Sequence, residues 1–333
     1  MKAYAVSFLV FLIGMIIIPV FALSKTVDEE ILFERSPVGS VSSGQAVPEK
    51  QFALYDRHTD TVLTMSEKDY LTGTVLGELY ADFHAEAFKA QAVAAYTNAV
   101  RVQKASRDKS DETLKGADFA VSTDGKSGFL TKAMAQERFG AAFEASWKKA
   151  SDAVDSVYGR VLTYEGELIS AAYHSISSGQ TEDAVNVWSN SVKYLSPVAS
   201  PGDKNVKDFQ TTAEFSADEI SKLLKAHDSA VVLPEAKGQW FSDIKKTASG
   251  TVTSLKAGNK ELTGQDVRTL LSLRSACFDV VYKDGTFTFT VVGYGHGVGM
   301  SQNGANAMAL EGKSFEDILF HYYSGVKIER LDM

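Results

Sequence analysis

The chain has 333 residues and a net charge of −8, with 34 Lys and Arg against 42 Asp and Glu. Hydrophobic residues make up 44% and charged residues 23%, the proportions of an ordinary globular protein. No basic block stands out, which argues against a nucleic-acid partner, because phosphate binding needs clustered Lys and Arg.

The first element is apolar. Ala3 to Leu23 carries no charge, and a helix of ~20 residues at ~1.5 Å per residue crosses a ~30 Å hydrocarbon core. Lys2 lies before it and Asp28, Glu29 and Glu30 after it. That asymmetry predicts a cytoplasmic N-terminus and a domain on the other side. Residues 1–24 are therefore expected to be a membrane anchor. The rival reading is a cleaved signal peptide, favoured by Val20-Phe21-Ala22 and Pro19. Residues 25–50 read as a linker, with Pro37, Gly39, Gly44 and Pro48 and no helical period. Residues 51–333 read as one domain, with a lobe boundary near Pro201-Gly202.

Within that domain Gln51 to Met65 alternates as strands do. Ser66 to Tyr80 reads as a helix, with Ser66 and Asp69 as early-turn residues. Ala85 to Lys104 is a stronger helix whose alanines permit close packing, and Gln136 to Tyr158 is another, ended by Gly159. Val161 to Tyr164 and Leu168 to Tyr173 are expected as strands around Glu165-Gly166. Ser216 to Lys225 reads as a capped helix. Thr251 to Leu255, Ala276 to Tyr282 and Thr286 to Gly293 read as strands, the last two joined by the hairpin signal Lys283-Asp284-Gly285. Ser314 caps a final helix to Tyr323. The fold class is α+β. The single cysteine, Cys277, excludes an intramolecular disulfide and reads as a small core residue.

Three places carry the look of a site. Glu78 sits at a corner between two helices, beside Leu79, Tyr80 and Phe83. Desolvation there would raise its pKa and make it a general acid. His296 lies among Gly293, Gly295, Gly297 and Gly299, followed by Ser301 and Gln302, which can hydrogen-bond hydroxyls or amides. His174 stands where a strand enters the loop Ser175-Ile176-Ser177-Ser178-Gly179. No HExxH, Cys pair, GxGxxG or GxSxG is present, and no second carboxylate pairs with Glu78 as in a conventional glycosidase. No cofactor and no metal are expected.

These residues resemble the stage II sporulation protein D family. The resemblance rests on Gly77-Glu78 with the helix Glu86-Ala87-Phe88-Lys89-Ala90-Gln91-Ala92-Val93-Ala94-Ala95, and on Ala172-Tyr173-His174-Ser175 with Trp188 and Tyr194-Leu195. It extends to Gly264, Arg268, the segment Leu270 to Phe278, Gly295 to Ala305 and His321-Tyr322-Tyr323-Ser324-Gly325. It implies a lytic transglycosylase of sporulating bacteria. Such an enzyme cuts the β-1,4 bond between N-acetylmuramic acid and N-acetylglucosamine in peptide-stripped glycan strands and leaves a 1,6-anhydro end. By motif position Glu78 is then the catalytic acid and base. Lys89, Tyr96, Tyr173, His174, Ser175, His296, Ser301 and Gln302 are the expected substrate-binding residues. The implied partners are peptidoglycan strands, the amidase called stage II sporulation protein P and the membrane protein M, at the cell membrane between mother cell and forespore.

The chain departs from the family pattern at Tyr96, where an arginine is usual, and at Leu79-Tyr80, where Met-Pro is usual. Some relatives carry zinc near the Tyr-His loop through Cys and His, and this loop lacks cysteine. The family also includes amidase enhancers, so a binding and activating module is the alternative to an enzyme. A membrane-tethered wall binder is a third reading.

Overall fold

The computed structural model describes residues 50–331 apart from 110, 126 and 127. The apolar run 3–23 and the linker lie outside the described residues. Among the described residues no helix is long and apolar enough to cross a membrane.

The chain enters through the hairpin β1 (Gln51–Asp56) and β2 (Thr61–Ser66), which pair antiparallel. Ser66 then caps α1 (Glu67–Glu78) by accepting a hydrogen bond from the Asp69 N–H. α2 (Ala85–Asp108) follows a short corner, capped by His84. β3 (Phe119–Val121) adds to β1 in parallel. The helix expected over 136–158 is two helices, α3 (Lys132–Phe139) and α4 (Phe143–Val157). Gly140 at φ +51° ends α3 in a conformation that side-chain-bearing residues avoid, and a 3₁₀ turn restarts the chain.

β4 (Arg160–Tyr164) turns through Glu165 and Gly166, both at positive φ, into the two-residue β5 (Glu167–Leu168). The strand expected to Tyr173 stops there. Asn98 of α2 takes the backbone of Ala171 instead, donating to its carbonyl at 2.8 Å and accepting its N–H at 2.9 Å. β6 (Tyr173–His174) is thereby a separate strand. α5 (Ala184–Trp188), β7 (Gln210–Ser216) and α6 (Ala217–His227) follow. α6 opens with a full capping box between Ser216 and Glu219. β8 (Phe241–Lys246), β9 (Val252–Ala257) and β10 (Lys260–Leu262) form one antiparallel sheet, and α7 (Gly264–Leu270) packs on β9. β11 (Phe278–Lys283) and β12 (Thr286–Val292) form the expected hairpin, and β7 pairs with β12. β13 (Met300–Ser301) pairs in parallel with β6, and α8 (Gln302–Leu310), α9 (Phe315–Tyr322) and β14 (Lys327–Arg330) complete the chain.

Mixed helices and sheets make this an α+β fold. Its apolar residues gather in two clusters. The first is built around α2, whose Ala87, Ala90, Ala92, Ala94, Ala95 and Ala99 are all buried. Alanine on every side lets α1, α4, α8 and α9 approach this helix closely. The second is aromatic, with Phe278, Phe287 and Phe289 packed against Trp240 and Phe241. The chain leaves the first cluster after Leu195 and rejoins it at Val298. Glu182 ties the two together: its carboxylate accepts from Asn186 at 2.8 Å and from Thr247 at 2.7 Å, and also from Ser249.

Candidate active site

Glu78 is the last residue of α1. The helix ends there because Leu79 is extended, with its N–H still bonded to the Val75 carbonyl at 2.9 Å. The corner after it is pinned from the far end of the chain, where Asn306 of α8 accepts the His84 N–H at 2.7 Å. Three elements distant in sequence close around the carboxyl. Gln302, at the first turn of α8, donates from Nε2 to Glu78 Oε2 at 3.0 Å. The Tyr173 hydroxyl of β6 also hydrogen-bonds the carboxyl. Gly128 lies so close that a Cβ there would overlap the Glu78 carboxyl atoms. The same loop crosses α1 at two more glycines. A Cβ at Gly77 would strike the Gly128 carbonyl, and one at Gly73 the Leu130 carbonyl.

Burial raises the Glu78 pKa above its ordinary 4.5, and the Gln302 and Tyr173 hydrogen bonds oppose that rise without cancelling it. Burial first, and then the neighbouring Glu78 charge, hold the Tyr173 hydroxyl well above its ordinary range, so it stays a proton donor. The result is a carboxyl that keeps its proton to higher pH than an exposed glutamate does, in a fixed direction and partly open to solvent. Tyr80, two residues on, is 67% exposed and packs at a tilt on Phe83, with ring centres 5.5 Å apart.

The parallel pairing of β6 with β13 sets Met300 opposite Tyr173 and Ser301 opposite His174. Successive strand residues face opposite ways, so Tyr173 reaches Glu78 while His174 turns to His296. The two imidazoles lie 5.7 Å apart, with Trp188 5.2 Å from His296 on another side. His174 Nδ1 donates to the Val298 carbonyl at 3.1 Å, which leaves Nε2 an acceptor, buried and without a hydrogen-bond partner. His296 Nδ1 accepts the Val298 N–H at 3.1 Å, so its proton is on Nε2, toward the Tyr173 backbone. Burial pushes the two rings down to about 4 and about 3, and both are neutral near pH 7.

The remaining expected site residues have other employment. Ser301 is fully buried, caps α8 and donates to Asp203 Oδ1 at 2.7 Å. Asp203 also accepts from the Ser177 N–H and hydroxyl. The Ser175 carbonyl accepts from Asn303 N at 3.1 Å and Nδ2 at 2.9 Å. Lys89 pairs with Glu86 at 2.7 Å, and Glu86 in turn accepts the Phe315 N–H at the start of α9. Tyr96 lies inside the first cluster, where it and Tyr158 each donate to Glu67 Oε2 at 2.8 Å. The structure thus gathers Glu78, Tyr173 and Gln302 in one group and His174 and His296 in the next. It sets Ser301 and Ser175 behind them and holds Lys89 and Tyr96 in separate pairs. Gly128, Asn98 and Asp203 were missed. Gly128 carries no sequence signal beyond a glycine, and the other two act on backbone and hydroxyl groups that spacing does not reveal.

Cys277 is half-buried, and burial raises its thiol to about 11, which makes it unreactive. Among the described residues no set of three His, Cys, Asp or Glu side chains is arranged for a metal ion. The loop around His174 and His296 supplies no thiolate, and among the described residues no carboxylate joins the two imidazoles as a third donor. This donor set does not fit the zinc that some relatives carry.

Residues 55–164, which include Glu78, match the family model described as SpoIID, stage II sporulation protein. Stage II sporulation protein D of Bacillus subtilis is 35% identical over 280 residues, which cover 84% of this chain and 79% of the relative. The Bacillus amyloliquefaciens protein of that name is 36% identical over 279 residues, covering 84% and 78%. The amidase enhancer of Bacillus subtilis is 28% identical over 307 residues, covering 78% of this chain and 40% of the enhancer. With that extent of likeness on both sides of the alignment, the chain belongs to the stage II sporulation protein D family.

Proposed function

We propose that the chain is a lytic transglycosylase that cuts peptidoglycan glycan strands during sporulation, with Glu78 as its catalytic residue. The observation that carries this reading is the half-buried Glu78 carboxyl, whose pKa is raised by burial and which Gln302 and Tyr173 aim. Protonated Glu78 gives its proton to the glycosidic oxygen as the bond from muramic acid C1 to that oxygen breaks. The carboxylate so formed is adjacent to the electron-poor C1 and stabilises its positive charge. It then takes the proton of the C6 hydroxyl while O6 bonds to C1, closing the 1,6-anhydro ring. Glu78 ends protonated, no water is consumed, and no second carboxylate is required, unlike in a hydrolase. Positioned proton transfer of this kind contributes ~10²–10⁴ in rate.

The apolar run Ala3 to Leu23 would hold the domain at the membrane, outside the cytoplasm, beside the amidase and membrane proteins implied by the family. A second reading, a binding module that activates an amidase, is favoured by the 28% likeness to the amidase enhancer. Mass spectrometry of glycan strands treated with the full chain tests both. Anhydro ends from wild type and none from Glu78→Gln support the enzyme. Reducing ends mean a hydrolase. No products with strand binding retained supports the activating module.

A further inference from the structure

Arg268 of α7 is a half-buried cation without an acid. It hydrogen-bonds Gln265 Oε1 at 3.3 Å, and among the described residues no carboxylate lies within ion-pair distance. Its charge acts on His174, His296 and Tyr294, three side chains from two other segments. The backbone brings these segments together. Gly295 N–H donates to the Arg274 carbonyl at 2.9 Å, and a Cβ on Gly295 would lie 2.8 Å from His174 Cβ. Tyr294 is 47% exposed and backed by the Arg274 guanidinium 4.5 Å from its ring centre. Arg274 itself has only a 3.8 Å ion pair with Asp208, and its Nε is buried without a partner.

Two arginines, two neutral imidazoles and an exposed tyrosine therefore gather on the face of β6 opposite the one from which Tyr173 reaches Glu78. Their net charge is positive, and the orphaned His174 Nε2 leaves an unfilled acceptor among them. A half-buried guanidinium lacking a counter-ion is costly unless a ligand supplies one. Its planar fork matches a carboxylate. An aromatic face beside it matches a sugar ring.

We propose that Arg268, with Tyr294 as its platform, forms a carboxylate-binding subsite that recognises the lactyl carboxylate of muramic acid. This rests on the glycan reading of Glu78. The lactyl group is attached to the sugar by one ether bond, so its carboxylate is held beside a ring that Tyr294 can cover. It carries a charge only where the stem peptide is gone, because the peptide bond otherwise consumes that carboxylate. The stem peptide is the other source of carboxylates on a strand.

The test is binding, measured by calorimetry with full-length chain carrying Glu78→Gln so that strands stay intact. The ligands are peptide-free strands, the same strands with lactyl carboxyls converted to methylamides, strands with stem peptides, and chitooligosaccharides. Arg268→Gln should weaken peptide-free strands by about 10- to 100-fold, the scale of one charged hydrogen-bond pair. It should leave methylamide strands and chitooligosaccharides within about twofold. Arg268→Lys keeps the charge without the fork and should fall between, which separates recognition from misfolding. Equal losses on all ligands, or none, overturn the subsite. An Arg268-dependent gain from stem peptides overturns the lactyl assignment, and so does failure of peptide-free strands to bind. A wild-type chain that cleaves nothing but shows this Arg268 pattern would end the enzyme reading and leave the subsite standing.

Discussion

Gln302 Nε2 donates to Glu78 Oε2 at 3.0 Å and joins residues 224 apart in the chain. The bond favours the ionised carboxyl, so it restrains a pKa that burial raises. Replacing it with Gln302→Leu removes the restraint. The Glu78 pKa should rise further, and the alkaline limb of the pH–rate profile should move to higher pH. The maximal rate should fall by about tenfold as the carboxyl loses its fixed direction. An unmoved alkaline limb would mean that Glu78 is not the group that must be protonated.

Glu78→Gln should make the protein more stable near pH 7, because burial raises the Glu78 pKa and so disfavours its ionised form in the folded chain. A carboxyl with a raised folded pKa contributes its stability below its unfolded value, ordinarily 4.5, and loses it as pH rises through the folded value. The melting-temperature gap between variant and wild type should therefore vanish at acid pH and grow toward neutrality. A constant gap across pH would contradict a buried, titrating Glu78.

Gly128→Ala should act as a catalytic lesion with little effect on folding. Its Cβ would occupy space that the Glu78 carboxyl fills. Displacement by about 1 Å costs about 10²-fold in rate. A combined Gly128→Ala, Glu78→Gln chain should be no slower than Glu78→Gln alone, as single-turnover assays of anhydro-end formation would show.

His174 and His296 give the opposite pH sign to Glu78. Their folded pKa values, about 4 and about 3, lie below the ordinary 6.5. Stability is complete above 6.5 and falls as pH drops toward those values, by about 3 kcal/mol for His174 alone. His174→Asn keeps a donor for the Val298 carbonyl and removes the titration. Thermal melts between pH 7 and pH 4 should decline less steeply in the variant. Equal slopes would contradict a buried neutral His174.

Tyr96→Phe removes one of two donors from the buried Glu67 carboxylate. The expected cost is about 1–3 kcal/mol in chemical denaturation, with KM for glycan strands unchanged. A raised KM at unchanged stability would bring Tyr96 back to the cleft.

Where one residue decides a local shape, the sequence is readable. Ser66, Ser216 and Ser314 each cap a helix through an N–H three residues on, and Asp284-Gly285 turns a hairpin through two positive φ values. The raised pKa of Glu78 was legible for a related reason, since a helix end beside aromatic residues desolvates a carboxyl. What surrounds it was not. Asn98 withdraws the Ala171 backbone from a strand, and Asp203 draws Ser301 inward although its hydroxyl looked free for substrate. These contacts span 73 and 98 residues, and no periodicity encodes a partner at that distance. Lys89 also looked available, until Glu86 three residues earlier took it.

The clash between position 128 and the Glu78 carboxyl bears on ancestry as well as on chemistry. Neither site can vary freely while the Glu78 carboxyl keeps its place, so the two positions are physically linked. A side chain at position 128 beside a retained glutamate would displace its carboxyl, whatever the rest of the motif preserves. A shortened residue at 78 would relieve the constraint at 128 and open it to drift. On the proposed role of Glu78, that pair of positions would separate chains that cut strands from chains that only bind them.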